Sequence, residues 1–239
     1  MKILGIITAR GGSKRLPRKN IKEFLGKPLL AWVTQAGLKS GVLDRFILTT
    51  DDEEIAKIGK KYDIEVPFIR PAELAQDKSS SYGVVRHTVD WLKENENYEA
   101  DWIILLEPTS PGTQVSHIKE VRDIISKRDD IDSLIGVSEM PVHFSHTREF
   151  NKDENGIIKR VHDDEVLKNV IMRTQDIPVS YFPNSAIYAF KTKNLYDGNK
   201  SLWGNSTYGY LMDEKYVTNI DIQEDWDKAE AKVKKTLKK

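Results

Sequence analysis

Residues 3–7 read ILGII, and the segment that follows, residues 8–20, reads TARGGSKRLPRKN. A short apolar run that gives way to glycines is typical of a buried β-strand. Adjacent glycines, Gly11 and Gly12, allow a tight turn and a close approach of the backbone to a ligand. The same segment contains five cations, which are Arg10, Lys14, Arg15, Arg18 and Lys19. Backbone N–H groups in such a turn bind anions, and Arg and Lys add charge, so the pattern predicts a phosphate-binding loop after the first strand.

The loop does not have the spacing of the common phosphate-binding motifs. Neither G-x-x-x-x-G-K-[ST] nor G-x-G-x-x-G occurs in it, which argues against a P-loop and against a dinucleotide fingerprint. The alternative is a solvated basic turn. Five cations placed directly after a strand focus a positive field, which favours ligand binding over this alternative.

The rest of the chain alternates between strand and helix patterns. Strands are predicted at 3–7, 45–50, 64–69, 102–106, 133–137 and 216–220, and helices at 28–39, 51–62, from 79–81 to about 94, at 115–126 and from about 223. Asp51, with Glu54 three residues later, fits a capping box for the second helix. This alternation predicts an α/β fold with a mostly parallel, Rossmann-like sheet and helices on both faces, formed as one domain over residues 1–239. Ligands of such sheets bind at the carboxyl ends of the strands.

Composition narrows the function classes. Lys plus Arg and Asp plus Glu both number 37, which argues against a nucleic-acid-binding or membrane-surface protein. The chain has no cysteine, so disulfides, thiolate metal sites and cysteine nucleophiles are excluded. No apolar run approaches the length of a membrane span, and the first apolar run is expected to be a core strand instead of a signal peptide. We therefore expect a cytoplasmic protein.

Five segments together resemble the CMP-sialic acid synthetases (acylneuraminate cytidylyltransferases). They occur in the family's order and cover nearly the whole chain: residues 7–20, 70–75 (RPAELA), 105–111 (LLEPTSP), 183–188 (PNSAIY) and 219–221 (NID). The resemblance implies a nucleotide-diphospho-sugar transferase type of fold and the transfer of CMP from CTP to a nonulosonic acid, with release of pyrophosphate. It also implies Mg²⁺ as cofactor, because Mg²⁺ prefers oxygen ligands that include substrate phosphates.

The resemblance also assigns site residues. The implied catalytic residues are Arg10, Lys19 and Asp221, and the implied metal ligands are Asp221 and Asn219. The implied nucleotide-binding residues are Ala9, Arg10, Gly11, Gly12, Ser13, Lys19, Asn20, Arg70, Ser79 and Ser80. The implied sugar-binding residues are Glu107, Thr109, Ser110, Arg173, Gln175, Asn184 and Tyr188. A helix cap is the alternative role for the serines at 79–81 and for Asp221.

Three positions depart from the family's usual pattern. Asn219 replaces an aspartate, which puts the metal affinity in doubt. Glu107 replaces a glutamine, and an ionised carboxylate accepts hydrogen bonds but donates none. Phe182 replaces an arginine found in many relatives. The change at 107 points either to a different acceptor sugar or to a tolerated substitution, and the change at 182 points to altered contacts with the acceptor.

Residues 140–182 interrupt the alternation. Asn155-Gly156, between strand-like runs, predicts a β-hairpin. Such an arm cannot bury a core by itself. In the resembling family this region builds a homodimer, so the arm is expected to dimerise and to reach the partner's sugar site.

Several alternatives remain open at this point. One is a 3-deoxy-manno-octulosonate cytidylyltransferase, and another is the same fold with a different nucleoside triphosphate. A catalytically weak nucleotide-sugar-binding protein is an alternative of another class. A glycosyltransferase would need a metal-binding Asp-x-Asp after a mid-chain strand, whereas residues 130–132 precede one.

Overall fold

A computed structural model describes residues 1–161, 167, 170–171 and 173–237. Its strands are β1 (Ile3–Thr8), β2 (Glu23–Phe24), β3 (Lys27–Pro28), β4 (Arg45–Thr49), β5 (Trp102–Leu106), β6 (Ser133–Glu139), β7 (Phe150–Lys152), β8 (Ile158–Arg160), β9 (Tyr181–Lys191) and β10 (Thr207–Leu211). Its α-helices are α1 (Leu29–Ser40), α2 (Glu53–Lys61), α3 (Ser81–Glu96), α4 (Val115–Lys127) and α5 (Gln223–Leu237). None of the helices described is both long and apolar enough to cross a membrane.

Six strands form the central sheet in the order β10-β6-β9-β5-β1-β4. The pairs β1–β4, β1–β5 and β6–β10 are parallel, whereas β9 runs antiparallel to both of its neighbours. Thr8 pairs with Thr49, and Ile7 pairs with Leu106. The register therefore brings the carboxyl ends of β4, β1 and β5 to one edge of the sheet.

Alternating residues of the strands face two hydrophobic clusters. Ile3 and Ile7 pack with residues of α1, α2 and α4, whereas Leu4 and Ile6 pack with residues of α3. Successive side chains of a strand point to opposite faces, so both faces of the sheet are covered by helices. The prediction of a mostly parallel sheet with helices on both faces is confirmed.

A third apolar cluster fixes α5 against the segment after β1. The Phe24 ring is fully buried and makes edge-to-face contacts with Trp32 at 5.9 Å and with Trp226 at 5.2 Å between ring centroids. Leu16 and Ile220 belong to the same cluster. This packing holds the end of the cationic loop beside the chain that enters α5.

Two predicted strands are wrong. Residues 64–69 form only a single bridge, from Glu65 to Ile47, because Pro67 has no N–H with which to continue a ladder. Residues 216–220 cross the loop that follows β5, where the Ile220 amide donates to the Thr109 carbonyl. A Cβ on Gly112 would lie 2.1 Å from the Tyr216 carbonyl oxygen, so the two segments approach too closely for a side chain at that position.

The predicted hairpin in residues 140–182 is confirmed by the antiparallel pairing of β7 with β8. Gly156 lies in their connection with φ 84°, a conformation that favours glycine. Residues 162–166, 168–169 and 172 of the predicted arm lie outside the described residues.

Removal of the Phe24 ring tests the third cluster. We expect Phe24→Ala to lower the free energy of unfolding by about 3–5 kcal/mol, because the partly relaxed cavity adds to the lost transfer free energy. Leu38→Ala, at a position on α1 that is 40% exposed, is the matched control and should cost under about 1 kcal/mol. Urea unfolding measures both, and equal losses would contradict the role given to the cluster.

Candidate active site

A cavity of about 570 Å³ lies at the carboxyl edge of the sheet. Its walls come from the loop after β1, from Arg70 and the segment that leads into α3, from residues 107–109 after β5, and from Asp221. These segments are far apart in the chain and meet because parallel strands end at the same edge.

The loop after β1 is held by bonds to its own backbone and to the end of β4. The Ala9 amide donates to the Thr49 carbonyl at 3.1 Å, and Asn20 Nδ2 donates to the Arg10 carbonyl at 3.1 Å. Arg18 has φ 58° and forms an ion pair with Asp52 through both terminal nitrogens of its guanidinium. The loop is thus pinned near its start and near its end.

The structure brings Lys19 and Asp221 together, although 202 residues separate them. Lys19 Nζ donates to the Ile220 carbonyl at 2.6 Å and to Asp221 Oδ1 at 2.9 Å. The Lys19 side chain is 11% exposed, and that of Asp221 is 51% exposed. Because an ammonium group has three donors, one remains available for a ligand in the cavity.

Glu107 lies half-buried next to this pair. The pKa of its carboxyl is raised to about 7, chiefly because burial disfavours the charged form; the charge of Lys19 opposes this rise, and the charge of Asp221 adds to it. Glu107 thus changes charge near neutral pH in a cavity whose wall also contains Arg10, Lys19 and Arg70.

Arg70 is a buried cation in the cavity wall. Nη1 donates to the Thr49 carbonyl at 3.3 Å, Nη2 donates to Asp51 Oδ1 at 3.4 Å, and Nε has no hydrogen-bond partner among the described residues. Burial lowers the pKa of the guanidinium, the Asp51 carboxylate opposes this, and the charge of Arg10 adds to it. A buried cation with long contacts is well placed to receive an anionic or polar ligand.

Several predicted nucleotide-binding residues line the cavity, namely Arg10, Ser13, Lys19, Asn20, Arg70 and Ser79. Gly12 is exposed and outside the lining, and Ala9 is fully buried. The Gly11 amide, predicted to bind phosphate, donates instead to Asp51 at 3.1 Å. The Ser80 hydroxyl caps α3 by accepting from the Gly83 amide at 3.2 Å, as the alternative reading of that serine predicted.

The predicted sugar-binding residues are divided between the cavity and other places. Glu107 and Thr109 line the cavity. Ser110 is buried, and its hydroxyl donates to the carbonyls of Ser185 and Thr218. These bonds join the loop after β5 to β9 and to the segment before α5. Asn184 is buried in β9 and accepts from the Ala186 amide at 3.2 Å, while its Nδ2 has no partner among the described residues.

Tyr188, Arg173 and Gln175 also lie outside the lining of this cavity. The Tyr188 ring is 5.5 Å from that of Trp203, and burial raises the pKa of its hydroxyl. Arg173 is exposed and pairs with Asp176 at 3.5 Å. Gln175 lines a second cavity, of about 850 Å³, beside the edge strand β10. The fold of one chain therefore does not place Arg173 and Gln175 at the candidate site.

Among the predicted metal ligands, Asp221 lines the cavity, whereas Asn219 is exposed and outside its lining. Among the described residues, no three His, Asp or Glu side chains are grouped so that they could hold a metal ion by themselves.

Sequence reasoning missed two acidic residues of the site. Asp51 was predicted to cap α2, but the cap is Asp52, which accepts from the Ile55 amide at 2.9 Å, and Asp51 faces the loop instead. Asp77 pairs with Arg10 at 3.0 Å and with Lys14. The role of Asp51 at the site could have been predicted from its position just after the end of β4. No feature of the sequence around Asp77 indicates that it lies at the site.

A mostly parallel sheet with a cationic, ligand-sized cavity at its carboxyl edge defines an α/β protein of the nucleotide-binding type. The sequence model of the cytidylyltransferase family matches residues 4–235. The chain therefore belongs to the cytidylyltransferase family, and it is a nucleotidyltransferase.

Similar proteins agree with this assignment. A pseudaminic acid cytidylyltransferase of Campylobacter jejuni is 32% identical over 226 residues, which cover 94% of this chain and 93% of that protein. A CMP-N,N'-diacetyllegionaminic acid synthase of Legionella pneumophila is 30% identical, with coverage of 95% and 94%. An N-acylneuraminate cytidylyltransferase of Streptococcus agalactiae is 32% identical, and the match covers 52% of that longer protein.

A solved structure has the same fold. The CMP:2-keto-3-deoxy-manno-octonic acid synthetase complexed with CTP superposes with a TM-score of 0.70 at 14% identity, over 99% of this chain and all of that one. At this identity the likeness concerns the fold alone.

The buried carboxyl of Glu107 predicts a pH-dependent stability. Its pKa in the folded protein is raised from 4.5, so the folded chain holds this proton more tightly than the unfolded chain does, and Glu107 costs stability as the pH rises from about 4.5 to 7. We expect the free energy of unfolding of Glu107→Gln, relative to that of the parent protein, to be up to about 3 kcal/mol higher at pH 8 than at pH 4.5. Urea unfolding of both proteins at the two pH values measures the gain, and a difference that does not change with pH would contradict the placement of Glu107.

Proposed function

We propose that the protein transfers CMP from CTP to a nonulosonic acid and releases pyrophosphate. The observation that carries this proposal is the cavity in which Arg10, Lys19 and Arg70 meet Asp221 at the carboxyl edge of the sheet. The names of the relatives support the acceptor class, because three of them act on pseudaminic, legionaminic and N-acylneuraminic acid. The proposed location is the cytoplasm, where CTP is made.

In the proposed reaction, the anomeric hydroxyl of the acid attacks the α-phosphorus of CTP. A bond forms between that oxygen and phosphorus, the bond to the oxygen that bridges to the β-phosphorus breaks, and the hydroxyl proton is released. Such transfers depend on positioning and on stabilisation of charge. Lys19 is suited to this task, because the Ile220 carbonyl and Asp221 orient its ammonium group and leave one donor free.

The residues at the site fit Mg²⁺ as a cofactor. Mg²⁺ is usually bound by one or two carboxylates together with substrate phosphates, and the half-exposed Asp221 carboxylate provides such a ligand at the cavity wall. The ion would offset negative charge on the phosphates. Asn219 stays a predicted ligand without support from its position.

We propose that Glu107 discriminates between acceptor sugars. It stands at the half-buried side of the cavity beside Lys19, and it accepts hydrogen bonds when ionised. An ionised Glu107 would repel the carboxylate of the acid, so it favours a pose in which a hydroxyl or an amide N–H of the sugar faces it.

The homodimer is part of the same proposal. Large apolar side chains are exposed along residues 140–182, and among the described residues these include Phe144, Phe150, Ile157, Ile158, Val179 and Tyr181. Arg173 and Gln175 lie in this arm, away from the cavity of their own chain. We propose that the arm packs on a second copy and contributes these two residues to the partner's sugar site.

Pyrophosphate release is the direct test of the reaction. The protein is assayed with Mg²⁺ and with CTP, GTP, ATP or UTP against a panel of nine-carbon and eight-carbon 2-keto-3-deoxy acids. We expect turnover with CTP and a nine-carbon acid, and a loss of about 100- to 1000-fold in kcat for Lys19→Ala and Asp221→Ala.

The exposed Lys60 on α2 provides the matched control, and Lys60→Ala should keep the parent activity. Turnover with an eight-carbon acid alone would move the protein to the octulosonate class. CTP binding without turnover on any acid would support the nucleotide-sugar-binding alternative.

Complementation tests the arm. Lys19→Ala and Arg173→Ala chains should each be inactive, and random mixing should restore about a quarter of the parent activity, because half of the dimers are mixed and each mixed dimer has one intact site. The addition of Val179→Asp to both chains should abolish the rescue and give monomers in sedimentation velocity. No rescue between chains that do form mixed dimers would contradict the exchange of Arg173 between subunits.

A further inference from the structure

Asp51 contacts two groups of the candidate site at once. Its Oδ1 accepts from the Gly11 amide at 3.1 Å and from Arg70 Nη2 at 3.4 Å. The side chain is 22% exposed, and the contact with Gly11 joins residues 40 positions apart. One carboxylate oxygen thus connects the cationic loop, the end of β4 and the buried guanidinium.

The backbone of the loop lies directly against the acidic pair after β4. A Cβ on Gly11 would lie 2.6 Å from Asp52 Oδ2, so a side chain at residue 11 would displace the loop. Asp52 already caps α2 and pairs with Arg18. Asp51 is therefore not needed for the helix cap, and its bonds point to the site.

Charge balance gives the contact with Arg70 its importance. Arg70 is 4% exposed, and the positive charge of Arg10 acts on it from across the cavity wall. Among the described residues, Asp51 provides the carboxylate that is paired with Arg70. Without it, the buried Arg70 guanidinium would lose its paired carboxylate, and an unpaired charge is costly in a poorly solvated place.

We infer that Asp51 is a positioning residue, whose carboxylate fixes the Gly11 peptide and the Arg70 guanidinium in the arrangement that receives the triphosphate of CTP. Its importance for catalysis rests on the proposed function. Asp51 touches no reacting atom in this assignment. It acts through the start of the loop, which places Arg10 and Ser13 along the cavity, whereas Lys19 at the end of the loop is held independently by the Ile220 carbonyl and Asp221.

Two substitutions separate the two contacts. Asp51→Asn keeps an oxygen that can accept from the Gly11 amide but removes the charge that faces Arg70, whereas Asp51→Ala removes both. Glu53→Gln, at the exposed neighbouring acid in the first turn of α2, is the matched control. Because Asp52 provides the α2 cap, both Asp51 variants are expected to fold, and circular dichroism checks this.

The kinetic readout is the KM for CTP against kcat. Asp51→Ala is expected to raise the KM for CTP about 10-fold while kcat changes less than about 3-fold, because the positioned groups hold the triphosphate in the ground state and the transition state alike. Asp51→Asn should rescue part of the loss, and Glu53→Gln should match the parent protein. A KM for CTP that is unchanged in Asp51→Ala would overturn the inference.

A second readout does not depend on turnover. In ¹⁵N NMR, the Gly11 amide should be protected from hydrogen exchange in the parent protein and in Asp51→Asn, and about 10-fold less protected in Asp51→Ala. If the parent protein uses no CTP at all, the proposed function fails, and Gly11 exchange still decides whether Asp51 fixes the loop. Equal protection in all variants would overturn that part.

Discussion

The site depends on the compensation of clustered positive charge by carboxylates from distant parts of the chain. Arg10, Lys14, Arg18, Lys19 and Arg70 meet at one edge of the sheet, where their mutual repulsion would disperse the loop. Each of them pairs with an aspartate, and these are Asp51, Asp52, Asp77 and Asp221. The whole chain has no net charge, and these ion pairs also balance the positive charge locally at the site.

The ion pairs of the site differ in burial, and they therefore differ in how much the loss of one partner would cost. Asp77, Arg10 and Lys14 are substantially exposed, so solvent screens these ion pairs and they add little to stability. Arg70 and Lys19 are nearly buried, and there the loss of a partner leaves a poorly solvated charge. The exposed pairs are therefore suited to exchange with a ligand, and the buried ones to hold the cavity in shape.

Apolar packing keeps this arrangement in register. The Phe24 cluster joins the end of the loop to Ile220 and Trp226, which sets the position of the Ile220 carbonyl that accepts from Lys19. The link between the segment after the first strand and the last helix thus combines an apolar cluster with the buried hydrogen bond from Lys19 to the Ile220 carbonyl. The candidate site lies where the loop after β1 meets the segment that enters α5.

Prediction from the sequence succeeded where the pattern is local. The apolar run of β1, the helices at α1, α4 and α5, and the Asn155-Gly156 hairpin follow from residues that lie close together in the chain. That Asp52 and not Asp51 caps α2 could not be predicted, because both residues can cap a helix and the contacts of Asp51 with Gly11 and Arg70 join residues far apart in the chain. The prediction of a strand at 216–220 was wrong for a similar reason, because the Ile220 amide donates to the Thr109 carbonyl in the loop after β5 and not to a neighbouring strand.

The α/β class, the cationic loop after the first strand and the resemblance to the family follow from the amino-acid sequence, because each rests on short runs of neighbouring residues. Folding brings together the partners that such runs do not reveal: which carboxylate faces which cation, the bonds of Ser110 and Ser80 within the fold, and the distance of Arg173 and Gln175 from the cavity of their own chain. Those outcomes depend on how strands and loops meet across long sequence separations, and no local pattern records the distance between such segments.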